Sequence, residues 1–234
     1  MGLIVVEVPV LALDGPGGSG KGTVASRIAI LRNWRILDSG ALYRAFAFSA
    51  HQLEVSPDDL PGIQRVLTEN DFDFVVEETG EVGIFVNGKD VTTVVRGPDA
   101  GLLASTYASQ QMVRECLISR QRFERQAPGL VADGRDMGTV VFPDATLKVF
   151  LTATLKIRAQ RRYKQLLEKG FSATLAGVEN EVSARDQKDS TRAVSPLVPA
   201  NDAVVLDTTE IGIDQVVKKV DDLLTARLVQ GGNG

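Results

Sequence analysis

The sequence contains almost none of the residues that build disulfide frameworks, zinc sites or histidine-based catalytic centres. Its 234 residues include one cysteine, Cys116, and one histidine, His51. A single cysteine excludes an intrachain disulfide framework and favours a reducing compartment. One histidine leaves too few partners for a zinc site or a catalytic triad. We expect Cys116 to be a buried apolar residue on a helix, and His51 to be structural or on the surface.

Long apolar runs and a large positive charge are also missing. No run approaches the roughly 20 apolar residues of a membrane-spanning helix, and the first residues lack the pattern of a signal peptide. The formal net charge is −4, which argues against a duplex-binding protein because such proteins need a basic surface. We expect a cytoplasmic protein that binds neither membranes nor nucleic acid. We also expect a monomer, because no long apolar stripe stands out.

Glycine, in contrast, is concentrated in one short segment, which has five glycines in nine positions. A strand-like run, Val10–Leu13, precedes it, and a helix-compatible run, Thr23–Leu31, follows it. This context predicts a P-loop, in which backbone N–H groups surround phosphates at a helix N-terminus; a flexible glycine-rich loop is the alternative. We therefore expect ATP or another triphosphate as a ligand. The predicted triphosphate-binding residues are Gly15, Pro16, Gly17, Gly18, Ser19, Gly20, Lys21, Gly22 and Thr23.

The segment departs from the usual P-loop pattern directly after its lysine. A Ser or Thr that binds Mg²⁺ normally stands there, but this chain has Gly22, and the hydroxyl follows at Thr23. Asp133 ends another strand-like run and could reach Mg²⁺ through a water; a helix N-cap or a turn carboxylate is the alternative. We expect Mg²⁺ as the cofactor with ATP, held mainly by phosphates and water, with Thr23 and Asp133 as its protein contacts.

Strand-like and helix-like segments alternate along most of the chain, which predicts a parallel sheet with helices on both faces. Ligands of such sheets gather at the carboxyl ends of the strands, so we expect the P-loop, Asp38-Ser39 and Asp133–Asp136 to lie close together. The strand-like segments of this sheet are Val10–Leu13, Arg35–Asp38, Leu130–Asp133, Leu147–Leu151 and Ala203–Asp207. The helix-like segments are Thr23–Leu31, Ala41–His51, Asp99–Tyr107, Gln110–Arg125, Lys156–Lys169, Glu179–Asp186 and Ile213–Leu228. We expect the polar Gln187–Thr191 to follow its helix as a mobile segment.

One stretch breaks this alternation. Phe72–Glu77 and Val82–Val86 resemble strands, and Asn87-Gly88 is a hairpin turn signal that leads to Asp90–Thr92. We expect a small antiparallel insert that is separate from the main sheet. The alternative is that these strands join the main sheet.

Arginine is the second residue type that suggests phosphate binding. We expect Arg135, Arg185 and Arg192 to lie in loops or at helix termini, where a planar guanidinium group can hold phosphate oxygens. Any one of them could instead be an ordinary solvated residue. Several such arginines with a P-loop, and no histidine base or cysteine nucleophile, favour phosphoryl transfer. That reaction needs in-line positioning and neutralised charge more than covalent chemistry.

Four segments resemble the bacterial cytidylate kinases, a family of nucleoside monophosphate kinases. They are Gly20–Thr23, Leu37–Arg44, Asp133–Pro143 and Arg185–Leu197, and the similarity covers nearly the whole chain. The resemblance implies transfer of phosphate from ATP to CMP or dCMP. It implies a single α/β domain with a P-loop NTPase three-layer fold, a central five-stranded parallel sheet, an antiparallel insert that binds the monophosphate, and a helical lid. The implied bounds are 1–65, 97–155 and 200–230 for the core, about 66–96 for the insert and about 156–172 for the lid.

The resemblance also assigns roles to individual residues. Asp136 would accept a hydrogen bond from cytosine N4, while Arg114 and Ser105 would donate to N3 and O2; uracil would mispair. The implied CMP-binding residues are Ser39, Tyr43, Arg44, Ser105, Arg114, Arg135, Asp136, Arg185, Asp189 and Arg192, of which Arg44, Arg135 and Arg192 would hold the phosphate and Arg185 and Asp189 the sugar. The implied catalytic residues are Lys21, Arg135, Arg158, Arg162 and Arg192, with Arg161 on ATP. A UMP or AMP kinase, a non-catalytic P-loop switch and an RNA-associated P-loop ATPase are the alternatives.

Overall fold

Strands and helices alternate in the computed structural model, which describes residues 8–77, 81–168, 170–192 and 195–231. The strands are β1 (Val10–Asp14), β2 (Arg35–Asp38), β3 (Phe72–Val76), β4 (Val82–Val86), β5 (Lys89–Asp90), β6 (Leu130–Asp133), β7 (Leu147–Thr152) and β8 (Val204–Asp207). The helices are α1 (Lys21–Arg32), α2 (Ser39–Gln52), α3 (Leu60–Glu69), α4 (Thr92–Arg96), α5 (Pro98–Ala108), α6 (Gln111–Phe123), α7 (Leu155–Glu168), α8 (Leu175–Thr191) and α9 (Ile213–Gly231). A π-helical turn, Met137–Val141, follows β6.

The predicted five-stranded parallel sheet is confirmed, and it consists of β1, β2, β6, β7 and β8. The chain divides into two compact units: the first contains the residues up to Val10 together with Ala29–Asp133, and the second contains Leu11–Ile28 and Gly134–Gly234. In the first unit β2 runs parallel to β6, so that Asp38 and Asp133 are register partners at the strand ends. In the second unit β7 lies between β1 and β8. Every residue of β1 is buried, as expected for a strand that is covered on both faces.

The predicted antiparallel insert is confirmed as a separate three-stranded sheet of the described residues, with the order β3-β4-β5. The alternative, that these strands join the main sheet, is wrong. Asn87 and Gly88 both have positive φ, 51° and 72°, which is the backbone of the type I′ turn that Asn-Gly favours. Phe72 and Ile84 are fully buried, so the insert has an apolar face of its own.

Three expectations about local structure need correction. The sequence reading missed α3, whose N-cap Asp59 accepts a hydrogen bond from Gly62 N at 3.1 Å, and it missed the short α4. Gln187–Thr191 is helical, because the polar side chains that suggested a loop fit the helix: the Thr191 hydroxyl donates to Gln187 O at 2.7 Å. Cys116 lies on α6 as expected, but it is only half-buried. Burial and the charge of Glu115 raise its pKa.

The expectations for His51, for the end of α7 and for membrane-spanning helices can be compared with the structure only in part. His51 lies at the surface near the end of α2. Lys169, predicted as the last residue of α7, lies outside the described residues. None of the helices within the described ranges is long and apolar enough to cross a membrane.

The core of the first unit depends on large apolar side chains on α2. Phe46 is fully buried and packs edge-on against Tyr107 of α5, with ring centroids 5.7 Å apart. We predict that Phe46→Ala lowers the free energy of unfolding by about 3–5 kcal/mol, because the core loses the transfer free energy of the buried ring and the contacts around the cavity that remains. Leu31→Ala is the matched control: Leu31 is 61% exposed, so a change within about 0.5 kcal/mol is expected. Urea unfolding of both variants measures this difference, and equal effects would contradict the prediction.

Candidate active site

The loop between β1 and α1 has the close backbone contacts that its glycines predict. Gly15 has φ +143°, and a Cβ atom there would lie 2.0 Å from the carbonyl oxygen of Leu151. Gly18 has φ +77°, and its Cβ would lie 2.8 Å from the carbonyl oxygen of Arg158. A side chain at either position would meet backbone that cannot move aside. Both glycines therefore lie where the loop backbone packs closely against backbone carbonyl oxygens of β7 and α7.

Lys21 covers this loop from the first turn of α1. Its side chain is buried, and its Nζ donates to the carbonyl oxygen of Pro16 at 2.9 Å and to the Ser19 hydroxyl at 3.5 Å. Thr23 lies two residues further along α1 and is exposed. An ammonium group is thus fixed at the loop, and a hydroxyl group is open to solvent beside it.

Asp14, which the sequence reading did not select, lies directly before the loop. Its carboxylate is buried and accepts hydrogen bonds from the backbone N–H groups of Met137 and Gly138, both at 2.8 Å. Burial raises the pKa of Asp14 to about 6, and the charge of Asp136 adds to this; the two N–H groups and Lys21 oppose it. The end of β1 and the start of the π-helical turn are therefore joined through one carboxyl group.

Two of the residues predicted to bind CMP lie directly before this π-helical turn. Asp136 is buried at the N-cap position of the π-helical turn, and its carbonyl oxygen accepts from Val140 N at 2.9 Å. Arg135 Nε donates to Asp189 Oδ2 at 2.9 Å, and its Nη2 lies 3.7 Å from the position of a Cβ atom on Gly17. The expected proximity of the P-loop and this segment is confirmed within the second unit.

The predicted lid arginines lie on α7 and differ in their partners. Arg158 is buried and bonds to Gly17 and Asp186. Arg161 donates to the hydroxyl and the carbonyl of Thr208, at 3.0 and 2.6 Å, and burial lowers its pKa while Asp207 opposes this. Arg162 is half-buried and makes no hydrogen bond or ion pair with any described residue.

Helix α8 carries the remaining predicted residues of the second unit. Asp189 pairs with Arg135, and its carbonyl oxygen accepts from Leu197 N at 2.8 Å. Arg192 is the C-cap of α8, as expected for a helix terminus. Arg185 is exposed in the interior of α8, so its predicted place in a loop or at a terminus is wrong, because α8 continues to Thr191.

The first unit contains a second group of predicted residues. Ser39 begins α2 and donates from its hydroxyl to Gln121 Oε1 at 2.8 Å. The guanidinium group of the buried Arg114, on α6, lies over the Tyr43 ring at 5.6 Å from its centroid. Such a stack fixes the plane of a cation against an aromatic face. Ser105 lies on α5 and is exposed.

Asp38 organises the arginines of this first-unit group. It caps α2 by accepting from Ala41 N at 2.8 Å. Its Oδ2 lies 3.9 Å from Arg44 Nη2 and 4.0 Å from Nη2 of Arg96. Arg96, from the end of α4, was not predicted. The register partner of Asp38 across the β2–β6 pair is Asp133, which is half-buried.

Comparison with known proteins identifies the family of this arrangement. The family model of cytidylate kinase matches residues 11–226. A protein named cytidylate kinase from Pseudomonas entomophila is 49% identical over 224 residues, which cover 94% of this chain and 97% of that protein. Another from Pseudomonas syringae pv. tomato is 46% identical over 227 residues, covering 97% of this chain and 99% of its own. The chain belongs to the cytidylate kinase family.

Within this chain, four residues of the two groups were not selected from the sequence. They are Asp14, Arg96, Asp186 and Thr208. Asp14 had a detectable signal, since a carboxylate that ends a fully apolar strand before a P-loop is expected to be buried. Arg96 and Thr208 had none, because their partners are far away in the sequence and no local pattern marks them.

The buried Asp14 predicts a pH dependence of stability. A carboxyl group whose pKa is about 6 in the folded protein and 3.8 when exposed stabilises the fold fully below pH 3.8, and this contribution is lost as the pH rises through 6. We predict that the free energy of unfolding of Asp14→Asn, relative to the unmutated protein, rises by about 3 kcal/mol between pH 3.5 and pH 7.5. Chemical unfolding across this range measures it. The exposed Asp73→Asn is the control, and parallel pH profiles of all three proteins would contradict the prediction.

Proposed function

We propose that the protein transfers the γ-phosphate of ATP to CMP or dCMP, giving ADP and CDP or dCDP. The observation that carries the proposal is the junction of the P-loop and the acceptor segment, where Asp14 binds the backbone that follows Arg135 and Asp136. This junction lies in a chain that is 46–49% identical to proteins named cytidylate kinase over nearly its whole length.

On the donor side, the loop amides of Gly15–Gly20 surround the β-phosphate, and Lys21 supplies a charge that meets the β- and γ-phosphates. The buried ammonium group needs no large movement to do this, because it already lies at the loop. Arg161 and Arg162 add charge from α7. Closure of the lid excludes water, so that phosphate passes to the nucleotide and not to water.

The donor set suits Mg²⁺ bound chiefly by substrate. The described residues hold no group of three or more His, Cys, Asp or Glu side chains that could bind a metal alone. Thr23, which is exposed, and Asp133, which is half-buried, offer oxygen atoms, and Mg²⁺ commonly keeps several waters and is completed by phosphates. Thr23 and Asp133 would hold the ion, directly or through water. When bound it neutralises charge on the transferring phosphates.

On the acceptor side, the proposal assigns base recognition to Asp136, Arg114 and Ser105. Cytosine offers an N4 amino donor and two acceptors, N3 and O2, and a carboxylate with two donors complements this pattern. The burial of Asp136 and Arg114 supports the assignment, because a mispaired polar group costs most where water is excluded. Uracil would place an acceptor against the Asp136 carboxylate and is rejected on that ground.

The acceptor phosphate and sugar are assigned to the remaining residues of the two groups. Arg44, Arg135 and Arg192 hold the phosphate, since guanidinium groups bind its oxygens in bidentate fashion. Arg185 and Asp189 meet the sugar. Ser39 and Tyr43 complete the CMP-binding set; the Ser39 hydroxyl donates to Gln121, and the Tyr43 ring stacks on Arg114.

The proposal extends to a monomer in the cytoplasm that binds no nucleic acid. The net charge of −4 and the single cysteine support it, for the reasons of charge and redox compartment given above.

The experiment that tests the function is an ADP-release assay with CMP, dCMP, UMP, AMP and dTMP as acceptors. We predict that kcat/KM for CMP or dCMP exceeds that for UMP and AMP by about 10⁴, the selectivity expected of a site built to hydrogen-bond one base. Equal or better turnover of UMP or AMP would contradict the cytosine assignment. No turnover of any monophosphate would favour a nucleotide switch.

Asp136→Ala tests base recognition separately from ATP binding. We predict that it reduces the CMP-to-UMP ratio of kcat/KM by at least about 100-fold, because the partner of N4 is lost. The KM for ATP is expected to change by less than about threefold, which is the control within the same assay. Wild-type discrimination in Asp136→Ala would show that another group reads the base.

Lys21→Ala tests the donor side. We predict that kcat falls by at least about 100-fold, as on removal of a preorganised donor to a transition-state charge. Lys219→Ala on α9 is the control and should retain wild-type kcat, because Lys219, unlike the buried Lys21, is exposed and has no partner among the described residues. Similar kcat values in both variants would contradict the role of Lys21.

A further inference from the structure

Arg158 is fixed in place by more hydrogen bonds than a solvent-exposed lid arginine would make. It lies in the first turn of α7 and is 6% exposed. Its Nε donates to the carbonyl oxygen of Ala153 at 2.9 Å, and its Nη1 donates to that of Gly17 at 3.1 Å. Nη1 and Nη2 also donate to the two carboxylate oxygens of Asp186, at 3.0 and 2.5 Å. These bonds use most of the N–H groups that a guanidinium group has.

Asp186 determines where this guanidinium group sits. The pair is bidentate, which fixes the plane of the guanidinium as well as its position. The Asp186 side chain is 28% exposed and the Arg158 side chain 7%, so the pair is shielded from most of the solvent. A single carbonyl oxygen would leave the guanidinium group free to rotate about one hydrogen bond, whereas the two carboxylate oxygens of Asp186 bind two of its nitrogens at once.

The Gly17 carbonyl is where this pair meets the P-loop. A loop that binds phosphate must direct its N–H groups at the ligand, and its carbonyl oxygens need partners elsewhere. Arg158 holds the carbonyl of Gly17, and Lys21 holds that of Pro16. The backbone of Arg158 also packs against Gly18, whose Cβ would lie 2.8 Å from the Arg158 carbonyl oxygen. Two consecutive carbonyls of the loop are thus fixed by cations.

We propose that Asp186 is a positioning residue for phosphoryl transfer: through Arg158 it holds the P-loop in the conformation that binds the triphosphate. Asp186 touches no substrate in this role, and Arg158 acts on the loop backbone. The inference rests on the proposed function only for its kinetic readout, since the binding of ATP can be measured without turnover.

The test compares Asp186→Asn with Asp186→Glu and Arg158→Lys. Asp186→Asn loses a charge-assisted hydrogen bond, so we expect the dissociation constant and the KM of ATP to rise about tenfold. The KM of CMP should change by less than about twofold, and the melting temperature by only a few degrees. Asp186→Glu, which keeps the charge, should recover part of the affinity. Asp186→Asn combined with Arg158→Lys should be no weaker than Arg158→Lys alone, because both changes break the same pair.

Glu181→Gln is the matched control. Glu181 lies on the same helix, is exposed and has no partner among the described residues. The substitution Glu181→Gln therefore removes one negative charge without breaking an ion pair. Wild-type ATP affinity in Asp186→Asn, an equal loss in Glu181→Gln, or an equal rise in the KM of ATP and CMP would overturn the proposal. So would loss of cooperative unfolding in Asp186→Asn, since the role would then be structural. Absence of CMP phosphorylation by the unmutated enzyme would instead contradict the proposed function and leave the ATP-binding comparison valid.

Discussion

An ion pair with a carboxylate offsets the cost of removing a guanidinium group from water, and such pairs occur in both units. In the second unit Asp186 pairs with Arg158, and Asp189 pairs with Arg135. In the first unit Asp38 lies near Arg44 and also caps α2. Burying an unpaired cation costs several kcal/mol, so these carboxylates make it possible to hold positive charge at a site that must attract phosphates.

The pairs also limit what the protein has to reorganise when it binds nucleotides. The loop carbonyls of Pro16 and Gly17 are held by Lys21 and Arg158, and Asp14 ties the end of β1 to the turn after Asp136. Phosphoryl transfer gains most of its rate from charge and geometry that are in place before the reaction. A fixed loop joined to the acceptor segment provides such geometry.

Local sequence patterns correctly predicted the glycine-rich loop, the strand before it and the hairpin turn of the insert. The glycines of the P-loop and the apolar run of β1 act over a few residues, and the turn at Asn87-Gly88 follows from backbone preferences alone. The predictions failed where a long-range contact decides the outcome. The polar composition of Gln187–Thr191 suggested that this segment is not helical, but its hydroxyl side chains donate to backbone carbonyls of α8, the helix that contains Asp189. Arg96 could not be selected, because its approach to Asp38 depends on how α4 packs. The residues proposed to read the base were assigned from a family resemblance and not from any local pattern.

We propose that the P-loop and the paired arginines direct the γ-phosphate of ATP to a cytidine monophosphate and protect it from water. The most direct measurement follows the label from ATP carrying ³²P at the γ position in a single turnover. With CMP present, the account predicts that the label appears in the β-phosphate of CDP, and that little is released as inorganic phosphate with or without CMP. Release of most of the label as inorganic phosphate at a rate that does not depend on CMP would contradict it.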